Sequence, residues 1–569
     1  AKADDNITNA VVFAANVKEL STRPSIVLLL ADPQPASLLG FGRGALFAVE
    51  PAPSSYMSSS YSGLRYFLSG DMRRQRLVLN DVRPESDPDG TLPMLEREFA
   101  RRYPLISDVI ARAWRAKDWF LLWGPPGTGK TSTAMRALVD LAMARPGMRI
   151  LLMAYTYRAT DEICKMLEDR LQMAGQANDL YLRLGNPLKC DPNLRGRMAN
   201  EMEFPDRAAT LEHMKNVRIV VSPVASVAPH NPVFGLFEHF DIAVVDEASQ
   251  LLDTHILPLF CATSPEDGNP LVGKFVFIGD DRQLPAVVQQ NPKTSKVADD
   301  ILRGQGILDC RHSFFQRLRA IAGGKNPDPS LFGFLDTQYR MHPMIAEFCN
   351  HFYYGEALKN GDKPHQTSDL PPPPNNADSF ERYILSSRLG FIPAVNRATD
   401  MDAKVNEVES KLCAKIVSTL LKRDACSDGA GARPYMPAEI GVIVPFRNQI
   451  ASVRNLLAKE LDKGLDEGIL VDTVERFQGS ERQVIVFSTV IQHLYQSDML
   501  SARRQDEEDD DGDEDNIWID RKLNVAVTRA KERFYLVGNE TVLRGLRAYG
   551  DLLEWISART GFSNEFAVF

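Results

Sequence analysis

The sequence predicts an α/β fold: two tandem parallel-sheet units, led by a small β-rich, barrel-like accessory part. Three observations predict it. Short apolar runs alternate with helical segments, first through 96–330 and again through 331–569, as they do where parallel strands are covered on both faces. An apolar run at 119–123 passes through a glycine-rich loop into a helical stretch at 132–143, an order typical of strand, phosphate loop and helix. Between the two alternating regions, 361–378 carries four consecutive prolines at 371–374 and can continue neither a helix nor a central strand.

Taken in order, residues 1–95 mix β-rich runs at 25–31, 44–49, 64–68 and 76–79 with Pro, Gly and Ser, which suits a small barrel or antiparallel sheet. In 96–330 strands are expected at 120–123, 149–154, 218–222, 242–245 and 274–278, with a short helical insertion at 190–215. The second unit, 331–569, contains the Pro-rich loop 361–378 and strands at 439–444, 469–471, 483–489 and 534–537. Its loop 503–516 is acidic and of low complexity, and is expected to be disordered and solvated.

At 569 residues the chain is too long for one core. Hydrophobic residues at 44% and charged residues at 25% are ordinary globular values, so the disordered and fibrous classes are excluded. The net charge of −9 argues against a nucleic-acid partner only until its source is found, because nine acidic residues lie within 506–515. Without that run the chain has 66 acidic against 66 basic residues, and local basic surface is available. Seven cysteines, at 164, 190, 261, 310, 349, 413 and 426, show no C-x-x-C spacing, which fits a reduced protein inside the cell, in cytoplasm or nucleus. No apolar run approaches the ~20 residues of a membrane span. A first residue that is Ala, with no secretory leader after it, fits a fragment or a trimmed chain.

The chemistry is carried first by Gly124, Pro125, Pro126, Gly127, Thr128, Gly129, Lys130 and Thr131, with Ser132 opening the helix. Glycines let backbone N–H groups turn onto a polyphosphate, Lys130 reaches its outer phosphates, and the Thr131 hydroxyl is placed to hold magnesium. Downstream, an apolar strand at 241–245 ends in Asp246 and Glu247. Asp246 suits magnesium held through water, and Glu247 suits a base that deprotonates the water attacking the terminal phosphate. An Asp-Glu pair at a strand end is by itself an ordinary solvated turn; beside the glycine loop it indicates hydrolysis of a nucleoside triphosphate. Gln283, after the strand at 274–278, is a candidate sensor of the γ-phosphate, while Arg340 and Arg529 are candidate arginine fingers.

The ordered set GPPGTGKT, DEASQ, GDDRQLPA, QYRMHP, TVERFQGSE and NVAVTRAK resembles the superfamily one helicases over about 100–545. Within them it is similar to the branch of the up-frameshift helicase, senataxin and the Dna-two nuclease-helicases. The resemblance implies two RecA-like domains that sandwich ATP and Mg2+ and carry single-stranded nucleic acid, DNA or RNA, across their tops. It implies that Tyr339 packs beside the adenine, and that Gln478 and Glu481 couple nucleotide to strand, Glu481 from the nucleotide side. For the strand itself it points to Thr156, Arg158, Ser222, Pro223, Pro445, Arg447 and Thr473 at strand ends. A hydroxyl in such a place is as readily a helix cap. The branch further implies movement from the five-prime toward the three-prime end, and the run 150–164 is closer to the Dna-two-like helicases, favouring DNA.

Two departures stand out. No glutamine before the glycine loop matches the adenine reader of relatives, and Tyr157 stands where relatives often carry Asn. Two further readings stay open: a nucleotide-gated clamp on nucleic acid or a ribonucleoprotein, and the motor part of a larger nuclease assembly.

Overall fold

The computed structural model describes residues 15–20, 26–30, 56–174, 181–198, 201–202, 206–227, 236–264, 267–288, 290, 292–324, 326–394, 404–422, 434–462, 464–500 and 520–559. Two compact units divide the chain, one containing Pro51–Thr337 and the other Gln338–Phe569. An N-terminal hairpin pairs β1 (Ala15–Leu20) with β2 (Ile26–Leu30), antiparallel.

The first unit is organised by β3 (Trp119–Trp123), β4 (Ile150–Ala154), β5 (Tyr181–Arg183), β6 (Ile219–Pro223), β7 (Phe240–Asp246), β8 (Val272–Gly279) and β9 (Phe332–Phe334). They form one sheet in the order β5-β6-β4-β7-β8-β3-β9, with every pairing parallel. The two-residue period of a strand divides their apolar runs between two cores. Phe120, Leu122, Leu152 and Ile278 face one side with Ile110, Leu138 and Ile163 from helices. Trp119, Leu121, Met153 and Phe277 face the other, with Ile256, Phe260 and Phe314. Each such side chain contributes about 1.5–3 kcal/mol on burial, which is why these strands are apolar along most of their length.

Where the chain passes into the second unit, a short ladder joins β10 (Thr337–Gln338) to β11 (Lys359–Asn360). Its main sheet contains β12 (Leu389–Pro393), β13 (Ile440–Val444), β14 (Leu470–Thr473), β15 (Arg482–Ser488) and β16 (Ala530–Gly538). The order is β12-β16-β15-β13-β14, again all parallel. Val442, Val444 and Val486 pack there against Leu412 and Ile416 of the helix Glu407–Leu421.

Four sequence expectations change. Residues 64–68 and 76–79, expected as strands, lie in the helices Tyr56–Ser69 and Met72–Val78, while 44–49 lies outside the described residues. Asp71 caps the second helix by accepting from the Arg74 N–H at 2.8 Å, and the first packs so tightly that a Cβ at Gly63 would stand 2.4 Å from the Thr254 carbonyl oxygen. Short apolar runs are ambiguous between strand and helix, and here cap and packing select helix. The boundary expected at 330 falls later, because β9 completes the first sheet by pairing with β3. The helix after the glycine loop starts at Lys130, not Ser132, and opens with a wide turn in which Ala134 N–H donates to Gly129 carbonyl at 2.9 Å. Within 361–378 a short helix, Pro364–Thr367, forms before the four prolines. The insertion at 190–215 is helical, with a turn at Pro192–Arg197 and a helix at Arg207–Asn216. The loop 503–516 lies outside the described residues.

Candidate active site

Strand order, not sequence order, gathers the candidate residues of the first unit. β7, β8 and β3 are neighbours, so the segments following them share one edge of the sheet: the glycine loop after β3, Asp246 closing β7 and the Asp280–Gln283 turn after β8. Carboxyl edges of parallel sheets are where open α/β folds bind ligands.

Gly127 and Gly129 both lie at φ +77, a left-handed conformation that a side chain disfavours. Thr128 closes the loop by donating its hydroxyl to the Pro125 carbonyl at 2.8 Å. Lys130 folds over the loop and donates its ammonium to the carbonyls of Gly124 and Pro125. That charge is held over the cradle where outer phosphates would bring negative charge. Pro126 and Ser132 lie in the same loop and first helical turn.

Thr131 donates its hydroxyl directly to Asp246 Oδ2, and Asp246 Oδ1 accepts from the Glu247 N–H at 2.9 Å. Hydroxyl and carboxylate are hard oxygen donors, the protein share that magnesium takes when water and phosphate complete its octahedron. The donor set therefore fits the ion. Glu247 sits at φ +52, a left-handed backbone that costs a non-glycine residue roughly 1–2 kcal/mol. Such strain is retained where it aims a functional group. On the neighbouring strand Asp280 fixes Gln283, accepting from its Nε2 at 2.8 Å, and also accepts from the Trp123 indole N–H at 3.0 Å.

In the second unit, Gln338 shapes the QYRMHP segment: its Oε1 accepts from the N–H groups of Arg340 at 2.9 Å and Met341 at 2.8 Å. Arg340 then reaches Glu481, with Nε to Oε2 at 2.6 Å, and donates to the Thr528 carbonyl at 3.2 Å. Lys531 pairs with the other oxygen of Glu481 at 2.5 Å. Burial alone would raise the Glu481 carboxyl, but the charges and hydrogen bonds of Arg340 and Lys531 outweigh it and pull its pKa down to about 2. Arg529 is buried, donating to the Val525 carbonyl and the Thr528 hydroxyl, each at 3.1 Å. Tyr339 packs on Gly361, where a Cβ would stand 2.2 Å from its ring.

The residues expected to touch a strand divide by exposure. Arg158 and Arg447 are exposed, and Thr156, Pro445, Thr473 and Gln478 are half-buried. Thr156 is a helix cap, accepting from the Ala159 N–H at 3.1 Å. Ser222 and Pro223 are buried, with the Ser222 hydroxyl given to the Pro223 carbonyl at 3.0 Å, so this loop presents its exposed Ala225 instead. Sequence reasoning missed Gln366, which is buried and donates to the carbonyls of Gln338 and Met341, and His365, whose Nε2 lies 2.8 Å from the Arg340 carbonyl oxygen. Both belong to the stretch read as a surface loop, and a lone Gln or His there has no spacing to mark it.

Two AAA domain family models match the chain, one over residues 108–289 and the other over 310–541. The chain is 28% identical over 474 residues to the DNA replication ATP-dependent helicase/nuclease DNA2 of Mus musculus, covering 79% of this chain and 38% of that protein. It is 25% identical over 464 residues to the helicase/nuclease JHS1 of Arabidopsis thaliana, covering 80% and 30%. With the helicase mov-10-B.1 of Danio rerio it shares 26% identity over 458 residues, covering 78% and 42%. The chain thus spans less than half the length of these relatives. Two consecutive AAA matches, the six ordered motifs and helicase relatives aligned over most of its length place the chain in superfamily one of the helicases, in the branch of the up-frameshift, senataxin and DNA2-like proteins.

Proposed function

We propose that this chain is an ATP-driven motor that moves on single-stranded nucleic acid, DNA in preference to RNA, from the five-prime toward the three-prime end. The observation that carries the reading is the Thr131–Asp246 contact beside the glycine loop that Lys130 closes, a magnesium and phosphate half-site built from β3 and β7 across the intervening β8. In this reading 96–337 and 338–569 are the two RecA-like lobes, and 1–95 is an accessory part. Gly124 through Ser132 bind the phosphates, Thr131 and Asp246 hold Mg2+, and Glu247 takes a proton from the attacking water. Gln283 reports the γ-phosphate. Arg340 and Arg529 supply positive charge to it, with Tyr339 beside the base and Glu481 holding Arg340 ready. Thr156, Arg158, Pro445, Arg447, Thr473 and Gln478 line the strand path, with Ala225 presented where Ser222 and Pro223 are buried, tracking backbone without reading bases. The protein acts inside the cell.

A second reading rests on the mouse and plant relatives, whose names join helicase to nuclease and of which this chain matches only a part. There the motor feeds strand to a cutting activity. Both readings are tested by ATPase and unwinding assays on matched DNA and RNA duplexes bearing either overhang. Unwinding from a five-prime overhang supports the motor. Strand-stimulated hydrolysis without any displacement indicates a nucleotide-gated clamp instead.

A further inference from the structure

At one end of the first sheet, β5, β6 and β4 lie side by side and parallel, with Arg183 level with Val221 and Val221 level with Leu152. Their carboxyl ends therefore open together. Thr156 and Tyr157 follow β4, Pro223 ends β6, and Leu184 with Gly185 follows β5, the Leu184 N–H still donating to the Val221 carbonyl at 2.8 Å.

Gly185 knits these three loops. It sits at φ +131, and a Cβ there would stand 3.1 Å from the Tyr157 ring and 3.2 Å from Pro223. Only a residue without a side chain admits so close an approach at that backbone angle. The chain then makes a short turn, Pro187–Lys189, capped by Asn186, whose side chain accepts from the Leu188 N–H at 2.9 Å. This turn brings the Lys189 ammonium to 5.5 Å from the centre of the Tyr157 ring. A second cation, Arg183, lies 5.9 Å from the same ring, but it is fully buried and committed to Asp161 at 2.6 Å. Arg183 is therefore a support beneath the tyrosine. Lys189, by contrast, is exposed.

We propose that Tyr157 and Lys189 form a further contact for single-stranded nucleic acid, Lys189 pairing with a phosphodiester and the Tyr157 ring packing against an unstacked base. The inference rests on the reading that a strand crosses the carboxyl edge of this sheet, and it extends that path from β4 and β6 onto the edge strand β5. A cation beside an aromatic ring is the combination that holds single strands irrespective of base. The chemistry is shared by DNA and RNA.

The test is fluorescence anisotropy of labelled oligo-dT and oligo-U with the full chain, titrated at several salt concentrations, together with the affinity for an ATP analogue. Lys189→Ala is expected to flatten the slope of log K against log salt by about 0.7, one phosphate's share for a single strand, whereas Lys189→Arg keeps it. Tyr157→Ala is expected to weaken binding roughly 5- to 150-fold at every salt concentration with the slope unchanged, and Tyr157→Phe retains binding. Analogue affinity stays at the parent's value in all four. If the parent binds either oligomer and both alanine variants bind it as tightly and with the same slope, the contact is refuted while the strand path stands. A parent that binds neither oligomer overturns the path and this contact with it. The oligomer held more tightly identifies the sugar.

Discussion

The hydroxyl of Thr131 donates straight to the carboxylate of Asp246, a residue 115 positions away in the chain. The two groups that a magnesium ion would draw together already touch. A divalent ion bound there replaces the hydroxyl proton's attraction with its own charge, so Thr131→Ala is expected to raise the magnesium concentration for half-maximal ATPase and to lower the rate about 10²-fold or more. Chelation of magnesium should abolish turnover in the parent. A magnesium dependence unchanged in Thr131→Ala would remove the hydroxyl from the metal site.

Glu247→Gln keeps the shape of the side chain but cannot accept a proton. Turnover should fall about 10²- to 10⁴-fold while ATP remains bound, as read by steady-state hydrolysis beside equilibrium binding of labelled ATP. Near-normal hydrolysis would take the role of base away from this residue.

Arg340 and Arg529 differ in what their loss should disturb. Each alanine variant is expected to slow hydrolysis about 10³-fold with a smaller change in ATP affinity. Arg529 is buried and tied to Val525 and Thr528, so Arg529→Ala should also lower the melting temperature, whereas the half-buried Arg340 should cost less stability. Loss of the same size in Arg97→Ala, exposed on the helix Glu96–Arg102 and given no part in either site, would undo the finger assignment.

Acid should loosen the second unit in two stages. His342 is held neutral, its pKa brought down to about 4 by burial and then by the nearby Arg388 and His365 charges, and its Nδ1 accepts the Met344 N–H at 3.2 Å. An unfolded histidine takes its proton near 6.5, so this contribution is complete above pH 6.5 and is lost as pH falls toward 4. Glu481, at about 2, contributes fully above an unfolded value near 4.5 and loses its contribution as pH falls through 2. The difference in melting temperature between the parent and His342→Gln should therefore shrink as pH falls from about 6.5 toward 4, read from melting curves between pH 8 and 3. A difference that stays constant from pH 8 to 4 would contradict the histidine's part.

Gly361→Ala places a methyl group where the Tyr339 ring lies, so the ring must leave its present position to admit it. ATP affinity should weaken several-fold with the strand affinity preserved. Unaltered nucleotide binding would separate Tyr339 from the base.

Much of the framework is legible in the residues themselves. Runs such as Ile150–Ala154 and Phe240–Asp246 are apolar at nearly every position because both faces of a parallel strand are buried, and that local demand survives any arrangement of the rest. The paired glycines at φ +77 and the Asp-Glu step after β7 are likewise local statements. The helices at Tyr56–Ser69 and Met72–Val78 were not legible, since their apolar runs suit either period and Gly63 acquires its meaning only against Thr254. Nor was Gln366, whose value lies in two carbonyls supplied by residues some twenty-five positions away.

The sequence by itself determined which chemical parts this protein owns and in what order the chain delivers them. Tertiary structure decided which parts meet: the adjacency of β7, β8 and β3, the Thr131–Asp246 contact, the capture of Glu481 by Arg340 and Lys531, and the burial of Arg529. The reason is physical. A strand's composition is set by the faces it buries, whereas its neighbours are set by chain crossings and by packing against distant helices, to which no single stretch of residues holds the key.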